Sequence, residues 1–395
     1  MKARQIVIAM SPKGLCMAHA ENSRVTELQV TPLSKQEPEI GDIYIGRVQK
    51  IVPSLNAAFI EVIPQKPCYY DIKKNLNPIF THKIGKKPIC EAEQLIVQIE
   101  KEAVKTKPMT VTSNINFTGN YVVVATGDKT IGVSSKIQDE NRKRLQKLLA
   151  EYQSEEYGII ARTNAMTASE EMIRSELESL ILECKNLVQK ANTRTTFTCL
   201  KKASAPYIAF IRTMYHEDVE KIQVENQEVY DEIVSCFSKI QPAIVEKLEL
   251  YTDKNYDLNK LYSLDKVIEN ATRKKVWMKS GAYLVIEPTE ALTVVDVNSG
   301  KCVIKKDKEE LYFKINCEAA IEVAMQMRLR NLSGIIIIDF INLKDAKKMR
   351  EVLKILKEHL QNDKIPTKLI GVTKLQLVEI TRMKKRQSLQ ESLNV

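Results

Sequence analysis

Two aspartates stand out because each interrupts a run of apolar residues. Asp296 lies in the run 291–297, and Asp339 lies in the run 335–341. Magnesium prefers one or two protein carboxylates and keeps several of its waters. Asn298 follows Asp296 by two residues, so it lies on the same face of a strand and can orient a water or a phosphate. A lone aspartate of this kind is more often a cap or a salt bridge, but two in equivalent positions favour a metal site with Asp296 and Asp339 as ligands.

The elements around these residues predict how the two aspartates meet. Both apolar runs predict strands that are buried on both faces. Residues 309–332 carry apolar side chains at spacings of three and four, which predicts a helix between the strands. Such a strand–helix–strand unit makes the two strands parallel, with their carboxyl ends at one edge of the sheet. Both aspartates fall late in their strands, so we expect Asp296 and Asp339 to lie side by side at this edge. Open α/β sheets bind their ligands there.

The chemistry predicted for this edge is metal-assisted hydrolysis of a phosphodiester. A magnesium ion would polarise a phosphoryl oxygen and position an attacking hydroxide, giving 5′-phosphate and 3′-hydroxyl products. No Ser/His/Asp or Cys/His set stands out among the four histidines. Residues 298–301 resemble the end of a phosphate-binding loop, but Val295 stands where that loop requires glycine. Covalent catalysis and a nucleotide kinase are therefore disfavoured.

Composition predicts a globular protein with a polyanionic partner. The chain has 395 residues, of which 44% are hydrophobic and 28% are charged. Its formal net charge is +10, which favours nucleic acid as a partner. The eight cysteines show no Cys-x-x-Cys spacing, as expected of reduced cysteines inside a cell. No apolar run approaches the roughly 20 residues needed to cross a bilayer, so no membrane partner is expected.

Other segments carry features of RNA binding. Residues 39–125 show five short strands with exposed aromatic residues beside basic ones, which predicts an OB-fold barrel that stacks bases on Phe59 and on Tyr69 or Tyr70. The alternative is that Phe59 belongs to the core. Arg162 and Thr163 end a predicted strand and can offer a guanidinium and a hydroxyl to a terminal phosphate, although a salt bridge is the commoner role. Basic clusters at 273–275, 344–350 and 382–386 predict a channel for a phosphate backbone.

The sequence resembles the ribonuclease E/G family of bacteria and plastids. The resemblance rests on residues 289–299 and 328–341, which contain the two aspartates, and on 41–59, 158–163, 316–320 and 377–382 in collinear order. It implies a multidomain α+β chain with an OB-fold barrel inserted in an RNase H-like domain, then a 5′-sensor region and a DNase I-like α/β catalytic domain. The implied bounds are 1–38 and 207–279 for the RNase H-like parts, 39–125 for the barrel, 126–206 for the 5′-sensor region and 280–395 for the catalytic domain.

The resemblance also implies roles for particular residues. Asp296 and Asp339 would hold Mg²⁺ and Asn298 would support it. A sensor for an RNA 5′-monophosphate would be formed by Gly119, Val123, Arg162 and Thr163. Contacts with RNA are implied for Phe59, Tyr69 and Lys107 in the barrel, and we expect Lys301 to contact the RNA backbone.

The function predicted is a magnesium-dependent endoribonuclease that cleaves single-stranded, AU-rich RNA in rRNA and mRNA processing and decay. The alternative is a non-catalytic RNA-binding protein of the same fold that acts in RNA assembly or translation. The sequence up to Val395 lacks the Cys-Pro-x-Cys-x-Gly link found in many family members, so a homo-oligomer is not expected to be zinc-linked. The bias toward Ile, Lys and Asn fits a plastid (chloroplast stroma) or a bacterial cytoplasm.

Overall fold

The computed structural model describes residues 3–31, 38–103, 107–215, 218–238, 241–253, 255–300, 302 and 307–393. The chain forms two compact units, one made of residues 1–35 with 206–395 and the other of residues 36–205. Both units combine helices with sheets, which confirms the α+β class. Within the described part of the chain, no helix combines the length and apolar character that a membrane crossing requires.

The chain begins with three antiparallel strands that belong to the first unit: β1 (Arg4–Ser11), β2 (Gly14–Glu21) and β3 (Arg24–Thr31). Asn22 and Ser23, at the turn between β2 and β3, both have positive φ. A two-residue turn of this kind matches the right-handed twist of the strands that it joins. The meander packs its apolar side chains, Val7, Ala18 and Val30 among them, against later parts of the same unit.

The second unit opens with a closed barrel. Its five strands are β4 (Ile43–Val52), β5 (Ala57–Ile63), β6 (Lys66–Asp71), β8 (Gln94–Lys101) and β9 (Thr110–Thr112), and the short strand β7 (Phe80–His82) pairs with β8 outside the ring. Pairing runs in the order β4, β5, β6, β9, β8, and β8 then pairs with β4 to close the circle. The barrel is filled by alternate residues such as Ile60, Val62 and Val97. The predicted five-stranded barrel of the OB type is confirmed.

A buried carboxylate organises the loop before β8. Glu93 is fully buried and accepts hydrogen bonds from the N–H groups of Ile84, Gly85 and Cys90 at 3.1, 3.1 and 2.7 Å. The Lys83 ammonium donates to it at 2.9 Å. Burial raises the pKa of Glu93, but these four donors outweigh that effect and lower the pKa to about 2.

We expect Glu93→Gln to lower the free energy of unfolding at pH 7 by about 2 kcal/mol, because it removes the charge that holds four donors. The wild-type advantage is present above the ordinary pKa of 4.5 and is lost as the pH falls toward 2. The difference between the two proteins should therefore narrow between pH 7 and pH 3 in urea unfolding. Glu91→Gln, at an exposed position in the same loop, is the control. A difference that stays constant over this pH range would contradict the prediction.

The rest of the second unit is a small sheet with two helices. Its elements are β10 (Asn116–Thr118), β11 (Val122–Ala125), β12 (Ile131–Val133), α1 (Asp139–Ala150), β13 (Gly158–Ala161), α2 (Glu170–Ala191) and β14 (Cys199–Lys201). The sheet order is β10, β11, β13, β12, so β11 pairs with β10 and β13 and not with the barrel strands. β14 pairs with β4, which returns the chain to the barrel. Asp42 holds this return by accepting from Ala203 N–H at 2.8 Å and from Lys202 Nζ at 2.9 Å.

The chain then completes the first unit's opening sheet. The elements are α3 (Pro206–Met214), β15 (Val219–Val224), α4 (Gln227–Phe237), α5 (Pro242–Glu246), β16 (Leu248–Leu250), α6 (Leu258–Leu261) and α7 (Leu264–Thr272). β15 lies parallel to β1 and β16 lies parallel to β15, giving the order β16, β15, β1, β2, β3. The basic cluster at 273–275 begins where α7 ends, at Thr272. Residues 275–277 pair as a strand with residues 283–285.

A six-stranded sheet carries the predicted aspartates. Its elements are β17 (Lys275–Trp277), β18 (Tyr283–Pro288), β19 (Leu292–Asn298), α8 (Lys308–Leu329), β20 (Gly334–Asp339), α9 (Ala346–Leu360), β21 (Thr367–Val372) and β22 (Val378–Arg382), followed by α10 (Leu389–Ser392). The order is β17, β18, β19, β20, β22, β21. β19 and β20 are parallel and every other neighbouring pair is antiparallel.

Helices cover one face of this sheet. Val295 and Ile338 are fully buried, and they share a core with residues of α8 and α9. On the opposite face Val294 is 36% exposed and Ile335 is 52% exposed. The prediction that both strands are buried on both faces is therefore wrong, because successive residues alternate between a helix-covered face and an open face.

Candidate active site

The predicted catalytic residues lie together on the open face. Asp296 and Asp339 are register partners on the parallel strands β19 and β20, and both side chains are exposed. Neighbouring strands are about 4.8 Å apart, so the two carboxylates stand side by side. Asn298 Nδ2 donates to Asp296 Oδ2 at 2.8 Å. The strand–helix–strand unit thus brings two acids and one amide to a single edge.

A buried amide fixes the chain just after Asp339. Asn316 lies on α8 and is fully buried. Its Nδ2 donates to the Ile341 carbonyl at 2.7 Å, and its Oδ1 accepts from the Ile341 N–H at 3.1 Å. Ile341 is two residues beyond Asp339, so this pair of bonds sets where β20 ends. In the sequence Asn316 is an asparagine within an apolar helical stretch, and that position alone does not predict a bond to the strand end.

The loop after β20 has a second attachment. Glu309, in the first turn of α8, accepts from the N–H groups of Lys344 and Asp345 at 2.8 and 3.1 Å. Asp345 in turn caps α9 by accepting from the Lys347 N–H at 2.7 Å. Both ends of the loop are therefore fixed to helices that pack beneath the sheet.

The turn after β19 requires glycine. Gly300 has a φ of +58°, and a Cβ at this position would lie 2.4 Å from the Gly281 carbonyl oxygen. The turn that holds Gly281 is anchored by Glu318 on α8, which accepts from the Lys279 N–H at 2.8 Å. The two turns pack backbone to backbone beside Asn298. Lys301, predicted to contact RNA, lies outside the described residues.

The donor set at this edge suits a hard divalent cation. Two carboxylates and an amide are available, and magnesium commonly binds one or two carboxylates with the remaining positions filled by water. Structural zinc would need four nitrogen or sulfur ligands. Among the residues that the structure describes, no group of three or more His, Cys, Asp or Glu side chains is arranged to hold a metal ion. The edge therefore fits a mostly hydrated ion.

The barrel presents two of its predicted RNA-binding aromatics as neighbours. Phe59 and Tyr69 are cross-strand partners, both are half-buried, and their ring centroids are 6.4 Å apart. Tyr70 points into the core, where its hydroxyl lies 2.9 Å from Ser113 Oγ, so Tyr69 is the surface residue of the two. Lys107 is exposed. A cavity of about 150 Å³ beside Tyr69 is lined by Asp71, Lys74, Lys101, Thr110 and Asn114 among others.

The predicted sensor residues gather at the turn between β10 and β11. The Arg162 guanidinium donates to the Gly119 carbonyl. The Arg162 N–H donates to the Tyr121 carbonyl at 2.7 Å. Val123 lies on β11, and Thr163 begins a short 3₁₀ helix, Thr163–Met166. These contacts bring Gly119, Val123, Arg162 and Thr163 to one end of the small sheet.

A carboxylate that sequence reasoning missed holds this turn. Glu176, on α2, is 8% exposed and accepts from the N–H groups of Asn120, Tyr121 and Val122 at 2.8, 2.8 and 3.0 Å. A Cβ at Gly119 would lie 2.1 Å from Glu176 Oε1, so a larger residue there would push the carboxylate away from the three N–H groups. A glutamate within a long amphipathic helix gives no such signal in the sequence.

One of the predicted basic contacts is part of the core. Arg382 is 4% exposed, and its Nε donates to Asp363 Oδ2 at 2.7 Å. Its Nη1 donates to Asn331 Oδ1 and to the Leu332 carbonyl at 2.7 and 2.9 Å. Arg382 therefore links β22 to the loop that leads into β20. The prediction that it lines an RNA channel is wrong, because its donors are taken up by buried partners.

A barrel of the OB type in one unit and a pair of strand-end aspartates in the other are features of an enzyme that acts on nucleic acid. A sequence model of the ribonuclease E/G family matches residues 116–385. The chain belongs to the ribonuclease E/G family. The predictions of this family and of an endoribonuclease are confirmed.

Individual relatives align along nearly the whole chain. Ribonuclease G of Haemophilus influenzae is 30% identical over 404 residues, covering 100% of this chain and 82% of its own. Ribonuclease G of Escherichia coli strain K12 is 30% identical over 400 residues, covering 98% and 81%. Ribonuclease E of Synechocystis sp. is 31% identical over 394 residues, covering 98% of this chain and 58% of its own.

Proposed function

We propose that this ribonuclease uses Mg²⁺ held by Asp296 and Asp339 to hydrolyse single-stranded, AU-rich RNA, leaving 5′-phosphate and 3′-hydroxyl ends. The observation that carries the proposal is the pairing of the two aspartates in register on parallel strands, with Asn298 bonded to Asp296. Magnesium bound there would supply Lewis acidity toward a phosphoryl oxygen and an activated water.

The chain's own residues would orient the reaction. Asp296 and Asp339 would hold the ion and balance its charge, and the 2.8 Å hydrogen bond from the Asn298 amide keeps Asp296 in one rotamer. The Asn298 carbonyl oxygen can accept from the attacking water, which aligns that water with the scissile phosphate. Asn316 holds the end of β20, so Asp339 does not drift away from Asp296.

Substrate selection would come from the barrel and the small sheet. Aromatic faces such as those of Phe59 and Tyr69 stack only on bases that are not already paired, which favours single-stranded RNA. Lys107 and Lys301 would neutralise the backbone. The turn formed by Gly119, Val123, Arg162 and Thr163 would bind a terminal 5′-monophosphate, with Glu176 holding its backbone in place.

The proposed domain organisation follows the bounds 1–38 with 207–279, 39–125, 126–206 and 280–395. The sheet shared by β1, β2, β3, β15 and β16 supports one domain built from the first pair of segments, which we propose to be RNase H-like. The six-stranded sheet with α8 and α9 supports a separate DNase I-like catalytic domain. We also propose that the enzyme acts in rRNA and mRNA processing and decay, in a plastid or a bacterial cytoplasm. Any homo-oligomer that it forms is proposed to lack a zinc link.

The test is cleavage of an A/U-rich, 5′-monophosphorylated oligoribonucleotide by the full chain. We expect internal cleavage with magnesium, products that carry 5′-phosphate and 3′-hydroxyl ends, and loss of cleavage when EDTA removes the ion. Binding without cleavage under all metal conditions would instead support the non-catalytic RNA-binding alternative. Cleavage that EDTA does not affect would refute the metal assignment.

We expect Arg162→Ala to narrow the difference in cleavage rate between 5′-monophosphate and 5′-hydroxyl substrates by about fivefold or more, because one charge-assisted phosphate contact is lost. The measurement is kcat/KM for the same oligonucleotide with each 5′ end. Arg174→Ala is the control, since Arg174 lies in the same unit but pairs with Glu151 at 2.7 Å. If the ratio is unchanged in Arg162→Ala, the sensor lies elsewhere.

A further inference from the structure

An exposed tryptophan on the edge strand β17 and a half-buried tyrosine on β18 form an aromatic pair outside the hydrophobic cores. Trp277 is the only tryptophan of the chain, and it is 59% exposed. Its ring centroid lies 5.1 Å from that of Tyr283 on β18, with 58° between the ring planes. Burying an aromatic side chain of this size would stabilise the fold, so its exposure favours a contact with another molecule.

A cation accompanies these rings. Lys275 Nζ lies 3.5 Å from the Tyr283 centroid and 4.2 Å from the Trp277 centroid. We call Lys275, Trp277 and Tyr283 the aromatic shelf. The ammonium lies over the rings, and the flexible Lys275 side chain can turn away from them. Aromatic rings with such a mobile cation match a nucleotide, whose base stacks on the rings and whose phosphate pairs with the charge. Other exposed apolar residues of this sheet, such as Ile335 and Ile370, offer no aromatic ring.

The aromatic shelf lies on the same open face as the aspartates. Trp277 is the register partner of Tyr283, and Tyr283 is the register partner of Asn298. Lys275 is the register partner of Val285, which pairs in turn with Asp296 and, through it, with Asp339. At about 4.8 Å for each strand, Trp277 is roughly 10 Å from Asn298 across the sheet. This separation suits a nucleotide next to the one whose phosphate lies at the aspartates.

We propose that the aromatic shelf stacks a base of the single-stranded RNA beside the cleaved bond, with Lys275 binding the adjoining phosphate. The proposal rests on the proposed function, because it takes Asp296 and Asp339 as the point of cleavage. Stacking there would fix the direction in which the RNA crosses the sheet. It would also raise the affinity for RNA without selecting a particular base, since every base has a π-face.

Trp277 reports directly on its own contact because it is the only tryptophan. The first experiment is titration of the full chain with an A/U-rich oligoribonucleotide in EDTA, following tryptophan emission. We expect saturable quenching by the single strand, and little by a duplex of the same sequence. Saturable binding of a fluorescently labelled strand with no change in tryptophan emission would overturn the proposal. A change of emission on protein dilution without RNA would also overturn it, by indicating that a second copy covers the rings.

The second experiment compares cleavage kinetics of variants. We expect Trp277→Ala to lower kcat/KM at least about fivefold, mainly through KM, because base stacking is lost. Trp277→Phe should retain most of the activity, since it keeps a stacking face. Ile370→Ala is the control, because Ile370 is 58% exposed on another strand of the same sheet. Equal kcat/KM for wild type and Trp277→Ala would overturn the proposal.

The two experiments separate the aromatic shelf from the proposed function. If the wild type cleaves normally but quenching and the Trp277→Ala effect are both absent, only the shelf fails. If the wild type does not cleave but RNA still quenches Trp277, the catalytic assignment fails and the contact stands.

Discussion

Asp296→Asn and Asp339→Asn are each expected to lower kcat for RNA cleavage by at least about 100-fold, because a bound metal ion contributes several kcal/mol of transition-state stabilisation. Both side chains are exposed at the end of their strands, so neither change should disturb the core. The measurement is the initial rate at saturating oligoribonucleotide, with magnesium varied. Glu287→Gln is the control, since Glu287 is an exposed acid on the adjacent strand β18 that pairs with Lys274 at 3.1 Å.

The double variant tests whether the two acids act as one site. If both carboxylates hold the same ion, removing both should cost little more than removing either. Multiplicative losses would indicate two independent roles. Normal rates in both single variants would place the catalytic centre elsewhere in the chain.

The second large effect is expected at Asn316. Asn316→Ala should lower kcat about 10- to 100-fold while RNA affinity stays nearly unchanged, because Ile341 is released and Asp339 loses its fixed position. It should also lower the free energy of unfolding by about 2 kcal/mol, since the partly buried N–H and carbonyl of Ile341 both lose their partner. The readouts are kcat, the Kd for RNA in EDTA, and urea unfolding.

Val323→Ala separates positioning from stability in this test. Val323 lies on the same helix, is 1% exposed and belongs to the same core, but it has no hydrogen bond to the strand end. Truncating Val323 leaves a cavity in the core, which should lower the free energy of unfolding by about as much as Asn316→Ala does. We expect it to leave kcat almost unchanged at a temperature where both variants are folded. Equal losses of kcat would mean that Asn316 acts only through stability.

The parts of the fold that sequence could predict are those with strong local periodicity. The apolar runs around Asp296 and Asp339 and the helical spacing between them give β19, α8 and β20 within a few residues. That the aspartates lie at one edge follows from the parallel arrangement of their strands, whereas their pairing in register is seen only in the structure. The barrel could be predicted in the same way, from short alternating strands with turn residues between them.

What sequence could not predict depends on partners far away in the chain. Glu176 and Asn316 appear as ordinary helical residues until the backbone groups that they bind are known. The strand that carries Trp277, Lys275–Trp277, has only three residues, which is too short to show the alternating pattern of a strand in the sequence. Arg382 belongs to a basic cluster in the sequence, and only the structure shows that it is buried against Asp363.

The alignment of Asp296 with Asp339 has a consequence for how this protein can change in length. The two carboxylates meet through the hydrogen-bond register of β19 and β20, and side chains alternate between the two faces along each strand. Inserting or deleting one residue within either strand would turn its aspartate from the open face toward α8. Substitutions on the open face of these strands leave that alignment intact. A one-residue insertion or deletion in either of these short strands should therefore harm catalysis more than most substitutions around the aspartates.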